Sequence, residues 1–388
     1  MCKDYYVDAL DVIYSFRDNP TKTFSKYYSE KGKTEFALIK SKEEIEIIKA
    51  KVTDSEIRHL TNLMNRLDFI NQNFVKNIPL QVESSDDTTL ILQSIEKVGL
   101  YIPKQLPSSA YTYLSAIKSA GVNDIVVYLA QDEDGNLDPL SVYVSDLYGA
   151  KILGGPARFA FPTLAFGYKD LELEPCYMLA GPCGQRLNII KQLSAQISGC
   201  GADMSAGPSD IAILTDGKAL PEQIYRSLVS QLEHGVDSKA SLILIGDDIF
   251  NKWNDFYTNT SIDKSKISVI KFDNLDSAIE NLNKIAPETA EIWLNSEFDS
   301  RSIKNCGVVY INGISSIGDY GAIGRGCADP TGSFSKSQSG LSPLTFMRYQ
   351  AMVNFKNIEK ELFNSSVFLS AYEGLVSHKN AIEGILKI

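Results

Sequence analysis

The sequence predicts an α/β protein with two parallel, doubly wound sheets and helical extensions at both ends. Three observations carry that reading. Between about Ile95 and Ile311, short apolar runs alternate with helical patterns, as strands joined by crossover helices do. There are enough such runs for two sheets. Both ends of the chain show apolar residues at spacings of three and four instead.

Residues 1 to about 90 read mostly helical, through "DALDVIYSF" and then "KEEIEIIKAKVTDSEIRHLTNLMNRLDFINQNFVKNI". His59 lies there among charges, as a solvated helix residue. "VGLYIP" is a short apolar run. "SSAYTYLSAIKSAGV" is a helix with Ser108 or Ser109 as its cap and Gly121 near its end. "DIVVYLA" is a strand, and "CYMLAGPCGQRLNIIKQLSAQ" is a strand-like run, a glycine turn and a helix. "DIAILTDG", "ASLILIGDD", "ISVIKF", "AEIWLN" and "CGVVYING" are further strands, with helices between them. From 342 onward the chain reads helical, without strands, and needs another body to pack on, as subunit-interface arms do. The resulting division is a helical extension over 1–19, a discontinuous Rossmann-like domain over 20–100 and 211–340, a second Rossmann-like domain over 101–210, and a helical arm over 341–388.

The chain has 388 residues, 44% hydrophobic and 22% charged, an ordinary composition for a globular protein. Its net charge of −10 and the lack of a Lys/Arg-rich block disfavour a grip on nucleic acid. No run of about 18 apolar residues is present, so no membrane span is expected. The N-terminus lacks a signal-peptide layout, which makes the cytoplasm the expected compartment. The cysteines, Cys2, Cys176, Cys183, Cys200, Cys306 and Cys327, form no CxxC and read as reduced thiols.

No single motif is decisive. "AGPCGQ" (Ala180 to Gln185) could turn backbone N–H groups toward a phosphate, but it is not GxGxxG, and a plain strand-to-helix turn explains it. "AGPSD" is a turn before Asp210. Glu288 in "IAPETAE" precedes a strand, where an acid is usually solvated; it becomes a base candidate only if a pocket raises its pKa. The long Gly/Ser loop from Ile317 to Ser342 carries Asp319 and Arg325, the latter a possible anion contact. Gln231 and His234 are three apart and share a helix face. Together with Asp319 and His378 they would make an N/O-type metal site suited to zinc or manganese, with positions open for substrate.

The order of the segments adds to this. "GLYIP", "PSS", "LYGA", "AGP", "GADMSAGPSD", "SQLEHGVDS", "IAPE", "GDY", "PTG", "SGLS" and "EGLVSHKNA" follow one another as in the histidinol dehydrogenase family, which the chain resembles from about Ile95 to its C-terminus. The resemblance implies zinc ligated by Gln231, His234, Asp319 and His378. It implies a homodimer with exchanged helical ends, in which His378 comes from the other subunit. The family's chemistry is a double oxidation, alcohol to aldehyde to carboxylate, with NAD. Glu288 falls on the catalytic Glu of "APEHLE", but Thr289 stands where its His should be. Threonine accepts no proton near neutral pH.

On the cofactor side, Tyr101 is retained, Gly184 replaces an Asn, and Phe159 stands at or near a cofactor Gln. Among substrate contacts Ser209 and Glu373 are retained, and Cys327 replaces a pocket His. The expectation is a divergent zinc-dependent enzyme. It would carry out NAD(P)-linked oxidation of a small polar amino alcohol or related chelating substrate other than histidinol. The alternatives are a zinc enzyme that has left redox chemistry, as a hydrolase, lyase or condensing enzyme, and a non-catalytic metal- and ligand-binding relative.

Overall fold

A computed structural model describes residues 2–31, 40–85, 87–205, 207–258, 260, 263–326, 328–354 and 358–385. The chain forms two compact units. The first comprises Met1–Ile78 and Ser94–Met347, the second Pro79–Gln93 and Arg348–Ile388.

The strands in chain order are β1 (Gln81–Glu83), β2 (Thr88–Ser94), β3 (Lys97–Ile102), β4 (Asp124–Ala130), β5 (Lys151–Gly155), β6 (Met178–Ala180) and β7 (Gly201–Ala202). They continue with β8 (Asp210–Thr215), β9 (Lys239–Ile245), β10 (Ile267–Phe272), β11 (Thr289–Trp293), β12 (Val308–Ile311) and β13 (Met347–Val353).

The first unit holds two five-stranded sheets, ordered β5-β4-β3-β6-β7 and β10-β9-β8-β11-β12. Every pairing within them is parallel. In each, the chain starts at the central strand, winds outward to one edge, then returns to build the other half. That is doubly wound topology, with a switch point between β3 and β6 in one sheet and between β8 and β11 in the other.

Both sheets are covered on both faces, which is why their strands read as nearly continuous apolar runs. Along β4, Ile125, Val127 and Leu129 enter one core, while Val126, Tyr128 and Ala130 enter the other. The second core is aromatic. Phe16 and Phe24 from the N-terminal helices Cys2–Asp18 and Pro20–Glu30 pack edge-on to one another, and Phe24 lies 5.1 Å from Phe159. In the other sheet Ile211 and Ile213 face one core, Ala212 and Leu214 the other.

Two boundaries differ from the sequence reading. The helices Lys42–Lys49 and Asp54–Lys76 do not join the second sheet. Their Ile45, Leu60, Met64 and Leu67 bury with Leu100 and Leu114 against the first, and Lys97–Ile102 is that sheet's central strand. The sheets are therefore consecutive in the chain, and the helices between residues 42 and 76 pack on the first of them. The C-terminal stretch is also not wholly helical, because Met347–Val353 forms a strand on β2. Its alternation of Tyr349, Ala351 and Val353 with Arg348, Gln350 and Met352 has the period of a strand.

The second unit consists of the sheet β1-β2-β13 with the helices Lys360–Tyr372 and Val376–Ile385. Among the described residues no helix is long and apolar enough to cross a membrane.

Candidate active-site cleft

A cavity of about 680 Å³ opens in the first unit, beyond the C-terminal ends of β3 and β6. Pro103 and Leu106 line it after β3, and Gly181 to Gln185 line it after β6. This is the first sheet's switch point, where doubly wound sheets bind ligands. The opposite wall comes from the N-terminal edge of the second sheet, through Ser209 before β8, Ser238 before β9, and Glu288 and Thr289 at the start of β11.

The helix Pro221–Leu232 follows β8 and runs back along it for about 18 Å. It therefore delivers Gln231 and His234 to the same edge. Gln231 is buried in the last turn, and His234 follows the helix C-cap, its amide donating to the Gln231 carbonyl at 3.3 Å. Both line the cleft, as does Asp319. Among the described residues these three side chains form no hydrogen bond or ion pair. Burial holds the His234 imidazole below its ordinary pKa, opposed by Glu233, which favours the neutral, metal-binding form. Burial, with Glu291 nearby, pushes the Asp319 carboxyl up to about 6.

Asp319 caps the short helix Ser315–Gly318. The buried Glu291 fixes that helix, accepting the Ser315 amide at 2.6 Å and the Trp293 indole N–H at 3.2 Å. Sequence reading missed Glu291. Its only signal was an acid in the middle of an apolar strand.

Glu288 is strongly perturbed. Burial drives its carboxyl well above the ordinary value, reinforced by Asp210, Asp329 and Asp319 and opposed by the Asp210 amide. The expectation of a solvated acid is corrected here. Asp210 Oδ1 accepts the Glu288 amide and Glu288 Oε2 accepts the Asp210 amide, both at 3.3 Å, which ties the acid across the starts of β8 and β11. Arg325 is not free for an anion, since it donates to the Leu341 carbonyl at 2.9 Å and pairs with Asp329 at 3.3 Å. The long loop is anchored by its own serines. Ser335 donates to Ala286 O at 2.7 Å, and Ser333 to Ile285 O at 3.1 Å, at the end of the helix Leu275–Ile285.

The glycine turn after β6 is clamped from below. Lys191 Nζ donates to Asp203 Oδ1, to Gly181 O at 3.3 Å and to Met204 O at 3.1 Å. Asp203 Oδ2 accepts the Gly181 amide at 2.9 Å and the Tyr113 hydroxyl at 3.1 Å. This buried pair was also missed in the sequence.

The other expected contacts divide between the cleft and the rest of the molecule. Tyr101 is a core residue, 3% exposed, packed on Phe161 at 5.4 Å, and does not line the cleft. Phe159 is likewise buried among the N-terminal aromatics, which explains an apolar residue at that position. Gly184 and Ser209 do line the cleft, and a Cβ on Gly184 would meet nothing within 4 Å. Glu373 and His378 belong to the second unit, where both are exposed. Cys327 lies outside the described residues. Among the described residues no three His, Cys, Asp or Glu side chains cluster as a metal site. The candidate ligands of the first unit include only two of those types, with the Gln231 amide as third.

Comparisons with known proteins agree with this architecture. The histidinol dehydrogenase of Saccharolobus solfataricus is 30% identical over 305 residues, 76% of this chain and 73% of that one. The histidinol dehydrogenase of Bacteroides thetaiotaomicron is 29% identical over 371 residues, 89% of this chain and 84% of its own. The crystal structure of histidinol dehydrogenase from Elizabethkingia anophelis shares the fold, with a TM-score of 0.82 at 24% identity over 98% of this chain and 91% of that one. The family model for histidinol dehydrogenase matches residues 9–385, and the chain belongs to that family.

Proposed function

We propose that the cleft is the active site of a zinc-dependent, NAD(P)-linked alcohol dehydrogenase acting on a small polar amino alcohol. The observation that carries this is the convergence of Gln231, His234 and Asp319, all without protein partners among the described residues, on one cleft with Glu288. An amide oxygen, a neutral imidazole and a carboxylate form a donor set that fits zinc. Such an ion polarises a bound hydroxyl or carbonyl oxygen. His378 from a second copy would complete the set. The second unit supports that part of the reading, because it exposes Leu362, Phe368, Leu369 and Tyr372 at 52–82%, an apolar face suited to a partner chain.

Glu288 is the proton carrier. Its Oε2 is held by the Asp210 amide, which leaves Oε1 to exchange a proton with bound substrate. A carboxyl with a raised pKa is matched to that work near neutral pH. Thr289 is 5% exposed beside it and has no proton-accepting capacity there, so acid–base work falls on the carboxyl. The turn at Gly184 and the start of the helix Gln185–Ser198, which has no side-chain cap, would hold the dinucleotide that takes up hydride.

Thr289 also favours a second reading, zinc chemistry without redox. The open space at Gly184 counts for the first reading, since no side chain fills the turn. Metal analysis of the purified protein beside His234→Ala, with titration of NAD⁺ and NADP⁺ into zinc-loaded protein, tests the proposal. About one zinc per chain, lost in the variant, is expected. Absence of binding by either nucleotide with candidate amino alcohols present refutes the dehydrogenase.

A further inference from the structure

A second cavity of about 450 Å³ adjoins the cleft, sharing Gln185, Pro208, Val236, Asp237 and Ser238 with it. Its charge is opposite in character. The main cleft is lined by Glu233, Asp237, Glu288, Asp319 and Asp329, and its one lysine, Lys191, is committed to Asp203. The annex is lined by Lys239 and Lys266, with Asp237 as its single acid, in a chain whose net charge is −10. Neither ammonium has an ion-pair partner among the described residues. Ser238 is 1% exposed, lines both cavities, and its hydroxyl has no hydrogen-bond partner among the described residues. Leaving a buried hydroxyl unpaired is costly, so its retention points to a ligand. Ser265 adds a second hydroxyl at the annex.

We propose that the annex is a phosphate-binding subsite, in which Lys239 and Lys266 supply charge and Ser238 and Ser265 donate hydrogen bonds. The ligand spanning both cavities then has a cationic or chelating end in the acidic cleft and a phosphate in the annex. The phosphate belongs either to the dinucleotide or to a phosphorylated amino alcohol. The substrate arm rests on the metal reading above, whereas the annex itself does not.

The test is calorimetric titration of inorganic pyrophosphate, ADP and O-phosphoethanolamine into wild-type protein, Lys239→Ala, Lys266→Ala and the double variant, with Lys264→Ala as control. Zinc content and melting temperature establish that each variant is folded. The expected result is binding that weakens about tenfold or more for each lysine removed, since charge-assisted hydrogen bonds are of that size, and that is unaffected by Lys264→Ala. Binding of ADP but not O-phosphoethanolamine assigns the phosphate to the dinucleotide. O-phosphoethanolamine binding that tightens with zinc assigns it to the substrate. No binding of any probe, or equal losses in the control, overturns the subsite. Failure of zinc to bind while pyrophosphate still binds overturns the metal reading alone.

Discussion

Lys191→Met tests whether the cleft depends on the charge pair beneath it. Lys191 and Asp203 side chains are 1% and 0% exposed. Burial opposes the lysine's charge, but Asp203 overrides it and holds the ammonium above its ordinary pKa. Methionine fills similar volume and removes the charge, which leaves Asp203 buried with only the Gly181 amide and the Tyr113 hydroxyl. Breaking one side of such a pair costs about 3–5 kcal/mol, most of it the unpaired charge. At about 2 °C per kcal/mol for a large chain, Tm should fall by roughly 6–10 °C. Lys191→Met/Asp203→Asn should recover about half of that loss, since asparagine is neutral and still accepts the Gly181 amide. Melting followed by circular dichroism reads both. A single-variant drop under about 2 °C, or no recovery in the double variant, refutes the reasoning.

Three further outcomes are expected. Glu288→Gln keeps the shape but removes the proton carrier, so kcat should fall by about 10²–10⁴ with zinc content unchanged. Gly181→Ala places a methyl 2.2 Å from the Tyr101 carbonyl at φ +134°. It should cost at least about 3 kcal/mol, visible in urea denaturation, and should weaken ligands of the cleft. Burial pushes Asp329 up to about 6, with Arg325 opposing and Asp319 reinforcing. Its folded form therefore binds a proton more tightly than the unfolded chain. That contribution to stability is fully present below about pH 4 and is lost as pH rises through about 6. Two pKa units amount to about 3 kcal/mol, and Asp329→Asn should flatten metal-free urea stability across that window.

The α/β class was legible because both sheets are covered on both faces, so every strand carries an apolar run. The elements themselves were not the problem; the long-range partners were. Spacing joined Gln231 only to His234, because Asp319 reaches the cleft through a different strand and the Glu291–Ser315 contact. Lys191 stands in "NIIKQL", an apolar helix face where a lysine is unexpected, and that was a signal for a buried pair. Glu288 looked solvated because a loop before a strand is usually exposed. Its burial comes from Asp210, Asp329 and the loop after β12, which only the fold brings together. Tyr101, matched by family order, packs here into an aromatic core.

The two sheets have the same winding, yet among the described residues the cavity opens at the switch point of the first sheet and at the opposite, N-terminal edge of the second. At the C-terminal ends of β8 and β11, Asp216 accepts the Asn295 amide at 2.9 Å and its side-chain N–H at 2.9 Å. Lys218 Nζ spans the same gap to the Leu294 carbonyl at 2.9 Å. These bonds tie the two strand ends together across that crevice. The second sheet instead contributes its N-terminal edge, where the Asp210–Glu288 pair ties two strand starts together and the returning helix places Gln231 and His234. The cleft therefore has one wall built on a glycine turn and another rich in polar side chains. Thr289 is the first residue of β11 and Gly184 the N-cap of the helix after β6, so both departures from the family pattern sit where the cleft meets the end of an element rather than in the middle of a sheet.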